Sequence, residues 1–121
     1  MTVWYAPFER ALAAPFRYGD KEVNSRSGIC LRYEGPEGTL YSEASPLPGH
    51  SRESTGEVSA ALAKLTSEYC SAIVTDDDDP ADFFPPSLTF ALESLRALRA
   101  WKKNGGRPVR SNALIPPAGV D

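Results

Sequence analysis

The chain is short of the residues most enzymes use for catalysis. It has one histidine and two cysteines in 121 residues. The cysteines, Cys30 and Cys70, stand forty positions apart with no metal-type spacing, so neither a zinc site nor a disulfide framework is indicated. Basic excess is also absent. The formal charge is −3, which argues against a nucleic-acid partner. No apolar run approaches the roughly 20 residues of a membrane span, and the N-terminus lacks the basic-then-apolar pattern of a secretory leader. These absences point to a cytoplasmic protein with two free thiols. The length suits one domain with a real core.

Proline is not scarce: there are 11. Several fall where they punctuate the chain. "TVWYAPFERAL" alternates as a strand, with Val3 and Tyr5 on one side and Trp4, Ala6 and Phe8 on the other. Pro7 places it at a sheet edge. "AAPFRYGDKEVNSRS" reads as a long polar loop around Gly19. "GICLRYEG" and "TLYSEAS" alternate as two further strands, joined by the tight turn "EGPEG". The three strands form an antiparallel meander.

The period then changes. Val58, Ala61, Leu62, Leu65 and Tyr69 recur at helical spacing, and Ser54 with Glu57 stands in capping-box register, so one helix is expected from Ser54. A second helix is expected from Ser87 as N-cap, with the stripe Leu88, Ala91, Leu92, Leu95 and Leu98. It should stop at "KKNGGRP", where two lysines precede Gly105 and Gly106. The fold class is therefore α+β: a three-stranded meander followed by a helical bundle.

No catalytic set emerges. Asp76 to Asp79 are adjacent, lack the glycine and distal glutamate of a calcium loop, and read as a solvated acidic loop. His50 has no nucleophile-and-orienter set around it and reads as a loop side chain facing ligand or solvent. Glu43 reads as the ion-pair partner of Arg32 on the neighbouring strand. "NGGRP" lacks the Lys-Ser/Thr ending of a phosphate loop. What remains is a pair of loops, Gly19 to Ser27 and Pro46 to Arg52, that a meander can bring to one end of the sheet as a two-part rim.

The stretch "SRSGICLRYEGPEGTLYSEASPLPGHSRES" resembles the N-terminal capping domain of o-succinylbenzoate synthases, enolase-superfamily enzymes of menaquinone biosynthesis. Arg26 and Gly28 match the family's Arg-x-Gly. Glu43, Pro46, Leu47, Pro48, Gly49, Ser51 and Glu53 match its Gly-Glu-x-x-Pro-Leu-Pro-Gly-Phe-Ser-x-Glu-Thr run. Pro86, Ser87, Phe90, Ala91, Leu92 and Glu93 match its second helix, and Asn112 in "SNALI" its first barrel strand. Ser42, His50 and Ser54 depart from the usual Gly, Phe and Thr.

The resemblance implies a capping domain over residues 1–108, with the start of a barrel from 109 to 121. It implies a lid over a small carboxylate substrate, with Arg26, Leu47, Pro48, Gly49, His50 and Ser51 on the substrate side. The implied Mg²⁺ and the catalytic lysines belong to a barrel beyond this sequence, so no catalytic or metal-binding residue is expected here, and the chain alone should be inactive. The implied partner is that barrel. Without it, the exposed barrel-facing surface would favour self-association. Sister branches with the same kind of cap are N-succinylamino acid racemases, dipeptide epimerases and muconate cycloisomerases. A non-enzymatic binding module is the alternative from another class.

Overall fold

The structure is a computed structural model that describes residues 1–108 and 110. It is α+β, and the expected meander is present. Strands β1 (Thr2–Tyr18), β2 (Lys21–Gly35) and β3 (Gly38–Ala44) form one antiparallel sheet in the order β1-β2-β3. Helices α1 (Thr55–Ala63), α2 (Ser67–Val74) and α3 (Pro86–Lys103) cover one face of it. The assumed boundary at residue 109 and the barrel-strand reading of Asn112 lie outside the described residues.

Alternation in β2 decides which face is covered. Ile29, Leu31 and Tyr33 are wholly buried, and they meet Val58 and Leu62 of α1, Ile73 and Val74 of α2, and Leu88, Ala91, Leu92 and Leu95 of α3. Each large side chain sealed this way contributes about 1.5–3 kcal/mol. From β1 only Val3 is buried. The backbone of that edge strand is tied down by α2: Val3 N–H donates to Ser67 Oγ at 2.9 Å, and Ser71 Oγ donates to the Met1 carbonyl at 3.4 Å.

Three expectations need correction. The first is the long loop before β2. It is a hairpin arm: β1 runs on to Tyr18, β2 begins at Lys21, and the reversal is the pair Gly19-Asp20. Gly19 has φ 60, which a primed hairpin turn requires at its first central residue. The polarity that suggested a loop reflects an arm with both faces wet, for most of its residues are exposed.

Second, the helix expected to run from Ser54 past Tyr69 is two helices. Ser54 does cap α1, its Oγ accepting from Glu57 N–H at 3.1 Å. The chain then turns, and Thr66 caps α2 by accepting from Tyr69 N–H at 3.1 Å. α1 buries Val58 and Leu62, and α2, restarted on its own cap, buries Cys70, Ile73 and Val74.

Third, Ser87 is not the N-cap of α3. Pro85 takes that place and Pro86 fills the first helical position, where the missing N–H costs nothing. The C-terminal end follows expectation, with Lys102 and Lys103 in the last turn and left-handed Gly105 and Gly106 beyond it.

The acidic run is exposed, as expected of a solvated loop, and its backbone is also held. Arg96 of α3 organises it, donating from Nε to the Ile73 carbonyl at 2.8 Å and from Nη2 to the Asp78 carbonyl at 2.7 Å. The same guanidinium pairs with Asp76 at 3.4 Å and Asp79 at 3.6 Å. The repelling carboxylates thereby close the end of α2 around one cation. A second ion pair, Arg99 to Glu37 at 2.7 Å, fastens α3 to the β2–β3 turn, with Tyr33 Oη donating to Glu37 at 3.3 Å.

Candidate functional site

The stiff run from Pro46 to Arg52 is a closed turn. The Leu47 carbonyl accepts from His50 N–H at 3.0 Å and from Ser51 N–H at 2.9 Å. Ser51 Oγ accepts from Leu47 N–H at 2.8 Å, so the hydroxyl closes the turn from its other side. Gly49 sits at φ 77, a conformation that suits glycine. With Pro46 and Pro48 holding their own φ values, little backbone freedom is left to lose on binding.

The arm lies against this turn. Tyr18 Oη donates to the Pro48 carbonyl, and Lys21 crosses where a Gly49 side chain would stand. Arg26 Nη2 donates to the Ser45 carbonyl at 3.0 Å, holding the root of the arm to the end of β3. Gly28 permits that approach: a Cβ there would stand 2.5 Å from Ser45 Oγ and 2.8 Å from the Ala44 carbonyl. The two-part rim expected from the meander thus exists, but its first part is a β-ribbon.

Within the ribbon, the register breaks between Ala11 and Phe16. Leu12, Ala13, Ala14 and Pro15 bulge opposite the single residue Asn24, between the pairs Ala11–Ser25 and Phe16–Val23. The bulge, Phe16, Arg26 and Leu47 line a hollow of about 560 Å³. It is apolar apart from one guanidinium, a composition that fits a small organic molecule with an anionic end. Pro48, Gly49 and Ser51 line a second hollow of about 450 Å³ with Ser27, Pro46 and Arg52 among its other walls. A third, of about 460 Å³, joins Arg26, Glu43, Ser51 and Glu53 to the start of α3.

Of the six residues singled out from the sequence, Arg26 and Leu47 therefore share one hollow, and Pro48, Gly49 and Ser51 share its neighbour. His50 is exposed and lines neither. Glu43 is not the partner of Arg32. It stands opposite Cys30, and Arg32 pairs with Glu34 at 3.3 Å while lying 5.6 Å from the centre of the Trp4 ring.

Sequence reasoning missed Leu12 to Phe16, and with them most of the apolar lining. The dipeptide Gly19-Asp20 between alternating flanks was the available signal, since glycine followed by aspartate is a hairpin turn. It also missed what Glu53 does. Glu53 Oε2 accepts from Ser87 N–H at 2.8 Å and so caps α3 from the end of the Pro46–Arg52 turn. That N–H, set against the cost of burial, holds the Glu53 carboxyl below its ordinary range.

Among the described residues, no group of three His, Cys, Asp or Glu side chains is placed to hold a metal. The Mg²⁺ implied by the resemblance has no fitting ligand set in them. No described helix is long and apolar enough to cross a membrane.

No family model matches the chain, and no curated protein matches it. Among solved structures, it is similar to the o-succinylbenzoate synthase of Thermosynechococcus elongatus BP-1, complexed with Mg in its active site. The identity is 31%, over 55% of this chain and 21% of that chain, with a TM-score of 0.49. The likeness is distant and partial, and the chain spans about a fifth of that protein's length.

Proposed function

We propose that this chain is the capping part of an enolase-superfamily enzyme of the o-succinylbenzoate synthase type. The arm and the Pro46–Arg52 turn close over a small carboxylate substrate held by a barrel in a longer protein. The observation that carries this reading is the clasp itself. The Pro-Leu-Pro-Gly run folds as a rigid turn, the arm is fastened to it, and the two enclose an apolar hollow with Arg26 at its edge.

In this reading the lid residues do no bond chemistry. Leu47 and the Leu12–Phe16 bulge exclude water from the reacting centre, which strengthens every charge interaction there. Arg26 faces the anionic end of the substrate, a succinyl-hydroxycyclohexadiene carboxylate. Because the lid is already ordered, little conformational entropy opposes closure. Proton abstraction and loss of water belong to the barrel, with Mg²⁺ supplying charge stabilisation when bound. The compartment proposed is the cytoplasm.

The experiment is a steady-state assay of the longer reading frame with the cyclohexadiene substrate. Leu47→Ala and Arg26→Gln are expected to lower kcat/KM at least tenfold without loss of folding. Unchanged kcat/KM for both would remove the lid from the substrate site. Racemisation of an N-succinylamino acid, with no dehydration, would move the protein to a sister branch. Turnover by the 121-residue chain alone would end the division of labour.

A further inference from the structure

The sheet has a second face, which no described helix covers. Register puts Trp4, Arg32 and Tyr41 in one row across its three strands, and Ala6, Cys30 and Glu43 in the next. The exposed face of an antiparallel sheet is ordinarily polar. Here Trp4 is 52% and Tyr41 59% exposed, and they flank a hollow of about 270 Å³ floored by Ala6 and Cys30. Tryptophan, tyrosine and arginine are the residues that anchor protein interfaces.

We propose that this outer face is a self-complementary surface on which a second copy of the chain docks, sheet against sheet, about a two-fold axis perpendicular to the strands. Placed between the two rows, such an axis sets each row of one copy over the other row of its mate. Trp4 then lies over Ala6, a large side chain over a small one. Arg32 lies over Cys30, one strand away from Glu43 of the second copy. Each of these contacts is made twice. Glu43 makes no ion pair among the described residues, and the second copy's Arg32, exchanging its exposed pairing with Glu34, would give it one.

Charge disfavours one alternative, in which the two-fold axis runs along the strands. An axis along the strands would lay β2 over β2, with Arg32 on Arg32 and Glu34 on Glu34, and like charges so opposed are repulsive.

Two rows across three strands make a patch smaller than a standard interface, so the dimer should be weak, forming at about 100 µM and above. This inference does not depend on the lid or its substrate.

The test is sedimentation equilibrium of the 121-residue chain from about 10 µM to 1 mM, with circular dichroism to verify folding. A reversible monomer–dimer equilibrium is expected. Ala6→Arg places bulk under the second copy's Trp4 and should weaken dimerisation at least tenfold, without altering the fold of the monomer. Arg32→Glu alone and Glu43→Arg alone should each be monomeric, because each sets like charges together. Mixed in equal amounts they should dimerise, since both cross-pairs are then opposite in sign. A wild-type chain that is monomeric at 1 mM would overturn the proposal. So would dimerisation that Ala6→Arg leaves intact, or a mixture that stays monomeric.

Discussion

Glu53 offers a direct test of how the Pro46–Arg52 turn is held to the helices. Its carboxylate accepts from Ser87 N–H at 2.8 Å, so one side chain of the turn caps a helix 34 positions on. Replacing a capping side chain by alanine costs about 0.5–2 kcal/mol. Glu53 is half-buried and its partner is one of the orphan donors of α3, so about 1–1.5 kcal/mol is expected for Glu53→Ala. Glu53→Gln keeps an acceptor and loses only the charge at the positive end of the helix. It should cost about 0.3–1 kcal/mol. The pH dependence separates this from a packing effect. The folded carboxyl is held below its unfolded value of 4.5, chiefly by the Ser87 N–H. Its stabilisation is therefore fully present above about pH 4.5 and is lost as pH falls through the lower folded value. Urea unfolding of wild type and both variants at pH 7 and pH 3 would measure it. The wild-type advantage over Glu53→Gln should be largest at pH 7 and shrink at pH 3. An advantage that is the same at both pH values, or absent at pH 7, would refute the cap.

Other perturbations test the remaining joints. Arg99→Ala leaves Glu37, whose side chain is 11% exposed, without its counter-ion, and should cost about 2–3 kcal/mol in urea unfolding. Burial pushes the Glu37 carboxyl up, but its own N–H and Arg99 hold it below the ordinary value, so NMR titration of Arg99→Ala should show it rising. Gly19→Val puts a β-branched residue at φ 60 and should destabilise the arm turn by about 1–2 kcal/mol, with faster amide exchange confined to the arm. Leu95→Ala opens a cavity under α3 and should cost about 2–5 kcal/mol in the same unfolding assay.

Much of the architecture was legible because its signals are local. The period-two alternation of Ile29, Leu31 and Tyr33 and the helical stripe from Leu88 to Leu95 each specify a buried face without reference to the rest of the chain. Ser54 and Glu57 marked a helix start by their spacing alone. The break before Thr66 was not legible. Thr66 restarts the chain as a second helix, and a single helix satisfies the local spacing equally well. The Ser54 signal needed only residues within one turn of each other, whereas the cap on α3 came from Glu53, far away in sequence.

The arm and the Pro46–Arg52 turn show the same division. Sequence alone determined that Pro46 to Arg52 is stiff, because proline restricts φ and Gly49 permits a left-handed residue wherever they are placed. It also determined that two segments could meet at one end of the meander. The ribbon itself was open to reading from Gly19-Asp20, but only the tertiary structure decided that its bulge at Leu12 to Pro15 supplies the apolar wall and that Arg26 turns to the Ser45 carbonyl. Those outcomes depend on strand register and on the contact between Arg26 and Ser45, 19 positions apart. No local periodicity encodes them, because the free energy that selects them is released only when the whole chain has closed.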